Sequence, residues 1–499
     1  MTTTVSPQSA DSSEQAERLV RAEQLAAQNI PITHAKVVSI GGGLGSFTLV
    51  DRLRIGGVAD EDIAVVTTQR QPAGALVDRC VASGLALDDR LRSDSGSRVD
   101  NPWGFPGYAA EEAWSSRSVK PLARVFGEPV LTDVYTPTVG LMHRGVTREA
   151  RRIGWARMTV VAQAEYLFKR AEGGYFVVCR KNDRLRAIQC DHVHLAMGAP
   201  GPAFTPEAES FRAGEHPERL RHVYETHDDV LERLEREGGS VIVRGAGMAA
   251  SHLLARIARA REVNGADIHV WHLVRSWPVD DGTRPNRRIG LGFAHQAYGF
   301  PKSAYGGERR DQLLATTDEE ARLRLIEEWG ATTSPYRADS AELLRRGRFE
   351  GWYEAVVGEV DSFMARGTKV VASVRLQNGK EMALAADHVL DATGMRSNAD
   401  HHGLVADLLA FSPVGLNRLG GLRVDERFEV IGGASGDGRV FASGATARGG
   451  HYGPVDSFAG LQYAALTIAD ELAVSGVGRR LGPWRSLTGW LRWMGGKSL

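Results

Sequence analysis

Cysteine is scarce. The 499 residues contain three, Cys80, Cys179 and Cys190, too few and too scattered for a disulfide framework, a zinc site or a dithiol redox pair. An excess of one charge is missing too. Lys and Arg number 61, as do Asp and Glu, so no overall basic character points to nucleic acid as a partner. No run approaches the roughly 18 apolar residues of a membrane span. Residues 1–13, rich in Ser and Thr, have neither the basic start nor the apolar centre of a secretory signal. A cytoplasmic protein without a membrane span is therefore expected, and homo-oligomerisation stays open. His401-His402 and His192-x-His194 lack further ligands at useful spacing, so no metal site is expected.

Glycine, by contrast, is plentiful at 57 residues, and its clusters organise the chain. A β-branched run over residues 36–40 ends in Gly41-Gly42-Gly43-Leu44-Gly45-Ser46, and a helix-compatible segment, 47–53, follows. A dinucleotide site needs this order: a strand, a tight turn, and a helix N-terminus aimed at a pyrophosphate. Gly41 permits the turn and Gly43 lets the backbone approach phosphate. Ser46 stands where a third glycine would allow close helix–strand packing. The next strand, 62–68, runs into Gln69, where an Asp or Glu normally accepts from ribose hydroxyls. Upstream, residues 13–28 read as a short helix stopped by Pro31. Downstream, 88–110 is too rich in Gly, Pro, Ser and Asp for a regular element. Its Arg92, Asn101, Trp103 and Tyr108 suit either an active-site wall or a scaffold loop that packs aromatics.

Residues 238–275 repeat the opening part for part. A strand, 240–244, leads into Gly245-Ala246-Gly247-Met248-Ala249-Ala250, then a helix over 251–262 and a strand over 268–274. Here GxGxxA is complete, with Ala250 as the third small residue. Arg275 replaces the expected acid and suits a 2′-phosphate, which favours NADPH over NADH. Each opening unit leads to a set of short strands, at 159–162, 175–179 and 191–195, then again at 353–360, 369–374 and 387–391. Each set closes on a strand that ends in glycine, Gly198 and Gly394. Between the second opening unit and its strand set lies an insertion, 276–350, whose Tyr305 sits among arginines and glycines that hint at a polar small-molecule substrate. In the last third, a strand ending in Gly444-Ala445 precedes the loop 447–455 and a helix over 457–473, with Asp456 placed as its cap. His451 and Tyr452 in that loop are the candidates for orienting substrate or moving a proton. The alternative is a glycine-rich turn that only shapes the helix entrance. The tail around 483–494 has apolar residues at helical spacing with arginines between, and a docked terminal helix is favoured over one touching a membrane surface.

These features resemble the superfamily of flavoproteins with two dinucleotide-binding domains, over about residues 35–475. Within it they are similar to the NADPH-dependent flavin monooxygenases, which include amino-group N-hydroxylases. The resemblance implies an α/β fold of two Rossmann-like domains, the second inserted into the first, each with a small antiparallel β-meander. The FAD domain would comprise 35–225 and 395–478, and the NAD(P)H domain 226–394 with its insertion at 276–350. Residues 1–34 would form an N-terminal extension with a short helix, and 479–499 a tail helix. Gly41, Gly43, Gly45 and Ser46 would hold the FAD pyrophosphate, with Thr68 and Gln69 at its ribose. Gly444, Ala445 and Asp456 would lie along the flavin, and Gly245, Gly247, Ala250 and Arg275 would bind NADPH. Arg92, Trp103 and Tyr305 would be on the substrate side.

The implied activity is an FAD-dependent, NADPH-reduced oxidoreductase, a monooxygenase in which dioxygen forms a flavin hydroperoxide that oxygenates a small polar molecule. Amino-group N-hydroxylation is the family-level expectation. Two departures stand against the pattern: the acid after the second strand is absent, and the usual Gly-Asp of the C-terminal flavin strand is Gly444-Ala445. Each lost charge-assisted hydrogen bond is worth roughly 1.5–3 kcal/mol. A non-redox binding protein with a decayed FAD site is therefore one alternative, and a flavin reductase or dehydrogenase without oxygen transfer is another.

Overall fold

The computed structural model describes residues 18–91, 98–127, 135–275, 287–290, 293–296, 308–329 and 338–499. Arg92 and Tyr305 lie outside them. Strands β1 (Val37–Ile40) and β2 (Ile63–Thr67) are buried at every position, as parallel strands covered on both faces must be. β3 (Thr159–Val161) leads into a meander of β4 (Gln163–Arg170), β5 (Tyr175–Lys181) and β6 (Arg184–Cys190), and β7 (His192–Leu195) returns to the first sheet.

The chain then builds a second sheet. Its strands are β8 (Leu220–His222), β9 (Gly239–Arg244), β10 (Ile268–Val274), β11 (Tyr353–Arg366), β12 (Lys369–Leu376), β13 (Glu381–Ala386) and β14 (His388–Asp391), in the spatial order β8-β14-β9-β10-β11-β12-β13. The pairings from β8 to β11 are parallel, and those of β12 with β11 and β13 are antiparallel. Only then does β15 (Val440–Ala442) complete the first sheet, whose order is β15-β7-β1-β2-β3, parallel throughout. The second unit is thus inserted into the first, and each carries an antiparallel meander.

Five helices bear on the site: α1 (Leu44–Ile55), α2 (Met248–Asn264), α3 (Glu319–Trp329), α4 (Phe458–Val474) and α5 (Pro483–Met494). α1 and α2 each start three residues before the position expected from hydrophobic pattern, because the glycine turn itself is the N-cap. The helix expected over 13–28 is shorter. Leu19 and Val20 form an edge strand beside Lys169 and Arg170, and the helix covers Ala22–Ala27 alone. Residues 98–107 are irregular, but Tyr108 opens a helix, Tyr108–Ser116. α5 is docked: Trp103 Nε1 donates to Ser486 Oγ at 2.9 Å and Trp490 Nε1 to the Phe105 carbonyl at 2.7 Å. Among the described residues no helix is long and apolar enough to cross a membrane, and no cluster of His, Cys, Asp and Glu could hold a metal ion.

Candidate cofactor-binding site

The two glycine turns have nearly the same geometry. Gly41 and Gly245 both have φ of 125°, a conformation that L side chains rarely adopt. A Cβ on Gly41 would stand 2.2 Å from the Ala196 carbonyl oxygen, and one on Gly245 would stand 2.5 Å from that of Ala392. Each first glycine is therefore pressed against the strand end that flanks it. Gly43 and Gly247 are different. Both are extended N-caps, and nothing lies within 4 Å of where their Cβ atoms would be. The space in front of each helix N-terminus is open.

The first N–H groups of a helix have no intrahelical acceptor, and the helix dipole adds partial positive charge there. Each turn is thus an anion cradle. Both lie at the carboxyl ends of parallel strands, at the point where strand order reverses: β1 sits between β7 and β2, and β9 between β14 and β10. That is where open α/β sheets bind ligands. The residues present fit a pyrophosphate in each half.

The strand that follows each turn and its helix fixes that turn. Thr67 Oγ1 donates to the Gly41 carbonyl at 3.2 Å, and His272 Nε2 lies 2.7 Å from the Gly245 carbonyl. Thr67 is therefore occupied within the fold. Thr68 is exposed and Gln69 half-buried at the adjacent edge, and neither supplies the missing carboxylate. Arg275 is exposed directly after β10. Ala250 is buried one turn into α2.

Ser46 does more than keep a small volume. Its hydroxyl accepts from the Gly42 N–H at 3.0 Å and from Ser39 Oγ at 2.8 Å. Ser39 Oγ lies 2.9 Å from His194 Nδ1, and His194 Nε2 lies 2.8 Å from Ser443 Oγ. Ser39, Ser46, His194 and Ser443 are all at least 98% buried. This chain of hydrogen bonds ties the first glycine turn through β1 and β7 to the end of β15, next to Gly444. Burial lowers the His194 pKa to about 3, so the ring is neutral and one nitrogen donates while the other accepts. Gly45 stands in the same place, where a Cβ would lie 3.1 Å from Ala196 Cβ and 3.2 Å from Ser443 Oγ. Gly444 has φ of 63°. Three strand ends thus converge on one point. Of this network, sequence reasoning found Ser46 and missed Ser39, His194 and Ser443.

Asp456 is not the cap of α4. Ser457 is, with Oγ accepting from the Gly460 N–H at 3.1 Å, while Asp456 is exposed and 3.9 Å from Arg448. Tyr452 is 1% exposed and stacks on Tyr463 of α4 at a centroid distance of 4.6 Å, so its ring is part of the core. His451 Nε2 accepts from Arg322 Nη1 of α3 at 3.1 Å. An arginine only donates, so the proton of the neutral ring is on Nδ1. Burial, with Arg322 beside it, holds the His451 pKa below its usual value. Arg322 and Leu323 are buried, and a Cβ on Gly449 would meet Leu323 at 2.8 Å. α3, part of the insertion, thus lies against the loop that enters α4. Arg418 pairs with Glu320 and Glu327, and Arg423 with Glu319, across the same contact. Arg322→Gln is expected to raise the His451 pKa toward 6.5, read from the proton NMR titration of the imidazole. No shift would mean that burial alone sets it.

Asn101 and Tyr108 are committed to the scaffold. The Tyr108 hydroxyl donates to Asp100 at 2.7 Å, and Gln462 of α4 donates to the Asn101 carbonyl at 3.1 Å. Trp103 packs on α5, with its ring centroid 6.4 Å from that of Trp493. Its contact is the tail helix.

Two glycine turns of like geometry stand on two sheets, with one unit inserted in the other. Solved structures match this chain. Ornithine N-hydroxylase KtzI from Kutzneria sp. 744 superposes with a TM-score of 0.66 at 13% identity, over 89% of this chain and 100% of that one. DfoA, the cadaverine monooxygenase of Erwinia amylovora, bound to FAD, gives 0.66 at 11% identity, over 90% and 96%. Ornithine hydroxylase PvdA from Pseudomonas aeruginosa gives 0.62 at 13%, over 88% and 99%. The chain has the fold of these three enzymes along nearly its whole length. No protein-family model and no curated protein sequence matches it.

Proposed function

We propose that this protein is an FAD-dependent, NADPH-reduced monooxygenase that hydroxylates an amino group of a small polar molecule. The observation that carries the reading is the pair of open cradles at Gly43 and Gly247, of like geometry, on a fold shared with enzymes of ornithine and cadaverine. The turn from Gly41 to Ser46 would hold the FAD pyrophosphate, and that from Gly245 to Ala250 the pyrophosphate of NADPH. Bound there, FAD would supply the hydride-accepting and dioxygen-activating chemistry. The chain's own part is to bind and orient. The N-terminus of α4, capped by Ser457, would offer partial positive charge to a bound flavin, worth about 0.5–1 kcal/mol. Thr68, Gln69 and backbone donors near Gly444 and Ala445 take the place of the two missing carboxylates. NADPH as reductant puts the working enzyme in the cytoplasm.

The first test is colour. The purified protein should carry, or take up, a yellow flavin that NADPH bleaches without oxygen. In air it should convert ornithine, lysine or cadaverine to a hydroxylamine. A colourless protein that takes up no added FAD would sink this reading and leave a binding protein with a decayed site. Bleaching followed by peroxide release alone, with every amine tried, would instead favour a reductase. Arg275→Ala should raise the KM for NADPH at least about tenfold, the value of one charge-assisted hydrogen bond, and leave NADH nearly unchanged. An equal effect on both cofactors would remove Arg275 from the 2′-phosphate.

A further inference from the structure

The tail helix α5 presents two apolar faces, and only one of them is used. Ser486, Trp490 and Trp493 meet Trp103 and Phe105 in the body of the protein. A second stripe, Trp484, Leu487, Leu491 and Met494, follows helical spacing on the outside. These four are 80%, 47%, 55% and 51% exposed. Monomeric soluble proteins rarely leave such a row of large apolar residues in water.

The side-chain charge of the tail itself is of one sign. After Glu471 the chain has no acidic residue, yet it has Arg479, Arg480, Arg485, Arg492 and Lys497, all exposed. The contacts that Arg480 and Arg492 make are to backbone carbonyls, those of Asp470 and Ser498. A protein of zero formal net charge thus gathers five cations on its last 28 residues. This argues against a second copy as the cover. A two-fold pairing would set the same cationic tail against itself.

We propose that α5 is a docking surface for an anionic lipid bilayer. Its outer stripe enters the boundary between headgroups and acyl chains, and the five cations lie among the phosphates. An apolar stripe and a basic patch are each weak anchors, and together they make a stable one. Tryptophan at the end of the stripe suits that boundary. The protein rests on the surface and does not span it, and the inference is independent of the proposed reaction.

The test is sedimentation of the full chain with vesicles of phosphatidylcholine alone or mixed with phosphatidylglycerol. Binding is expected with the anionic vesicles only and should fall steeply with salt. Arg485→Gln and Arg492→Gln should each weaken partitioning about fivefold. Trp484→Ser combined with Leu491→Ser should weaken it at least about tenfold, with thermal midpoint unchanged because both side chains are exposed. Failure to bind anionic vesicles overturns the proposal. So does wild-type protein that runs as a dimer and is made monomeric by the double substitution, because then a second copy covers the stripe.

Discussion

Gly43→Asp is expected to give a folded but colourless protein, and Gly247→Asp a yellow one that NADPH no longer bleaches. The two positions differ from their neighbours in what a side chain would meet. At Gly41 and Gly245 any Cβ collides with a carbonyl and the backbone needs φ of 125°, so substitution there damages the fold itself. Gly43 and Gly247 have φ of −83° and −86°, with extended ψ, which any residue adopts. Aspartate is also among the preferred N-caps, so stability should hold or rise slightly. Its carboxylate, however, would fill the open space and compete with a pyrophosphate for the same N–H groups. The loss of a single charge-assisted hydrogen bond weakens binding by roughly one to two orders of magnitude. A competing charge in the cradle should add to that, giving at least about a hundredfold loss. Flavin content, anaerobic reduction and the thermal midpoint read the three consequences separately. Full flavin content in Gly43→Asp would show that the first turn is not the FAD cradle. Bleaching of Gly247→Asp at wild-type NADPH concentrations would free the second turn of its assigned role.

The glycine turns were legible because their geometry excludes other residues. Gly41 and Gly245 must be glycine for reasons local to a few residues, so the pattern is written in consecutive positions. The network behind the first turn is not local. Ser39 and His194 are 155 positions apart, and His194 and Ser443 are 249 apart. Nothing near any of them in the chain marks the partnership. Arg322 was hidden for the same reason, since it reaches His451 from 129 positions away. Asp456 was misread by one residue because Asp and Ser are both good caps and only backbone direction separates them. Leu19 falls on one helical face with Ala22 and Ala26, but the open edge of β4 takes it and Val20 as a strand, a tertiary contact that overrides propensity. Trp103 and Tyr108 looked available for a ligand because exposure cannot be read from a loop's composition. The tail helix and Asp100 occupy them.

Acid should unfold this protein well before its carboxylates titrate, and His194 should account for a measurable share. An unfolded histidine takes up a proton near pH 6.5, whereas His194, fully buried between two serines, does so only at about 3. Below pH 6.5 the unfolded chain therefore binds one more proton than the native one, and stability falls as pH falls. The slope is about 1.4 kcal/mol per pH unit for this one ring, or about 2 kcal/mol between pH 6.5 and 5. The contribution is complete above pH 6.5 and is lost progressively toward 3. Burial shifts His192, His222, His227, His272, His388 and His402 in the same direction, so the whole protein should lose stability more steeply than His194 alone dictates. His194→Gln separates the share of this ring. Glutamine can donate to one serine and accept from the other without ever gaining charge. At pH 8 the variant should be less stable by about 1–2 kcal/mol, the cost of imperfect hydrogen bonds in a buried network. Toward pH 5 that deficit should shrink to near zero, because the wild type is losing stability that the variant does not lose. Urea midpoints of the two proteins across this range measure the difference in slope. Parallel curves would mean that His194 takes no part in the acid response. Converging curves would place one neutral imidazole at the junction of β1, β7 and β15, holding the first glycine turn against the end of the strand that carries Gly444.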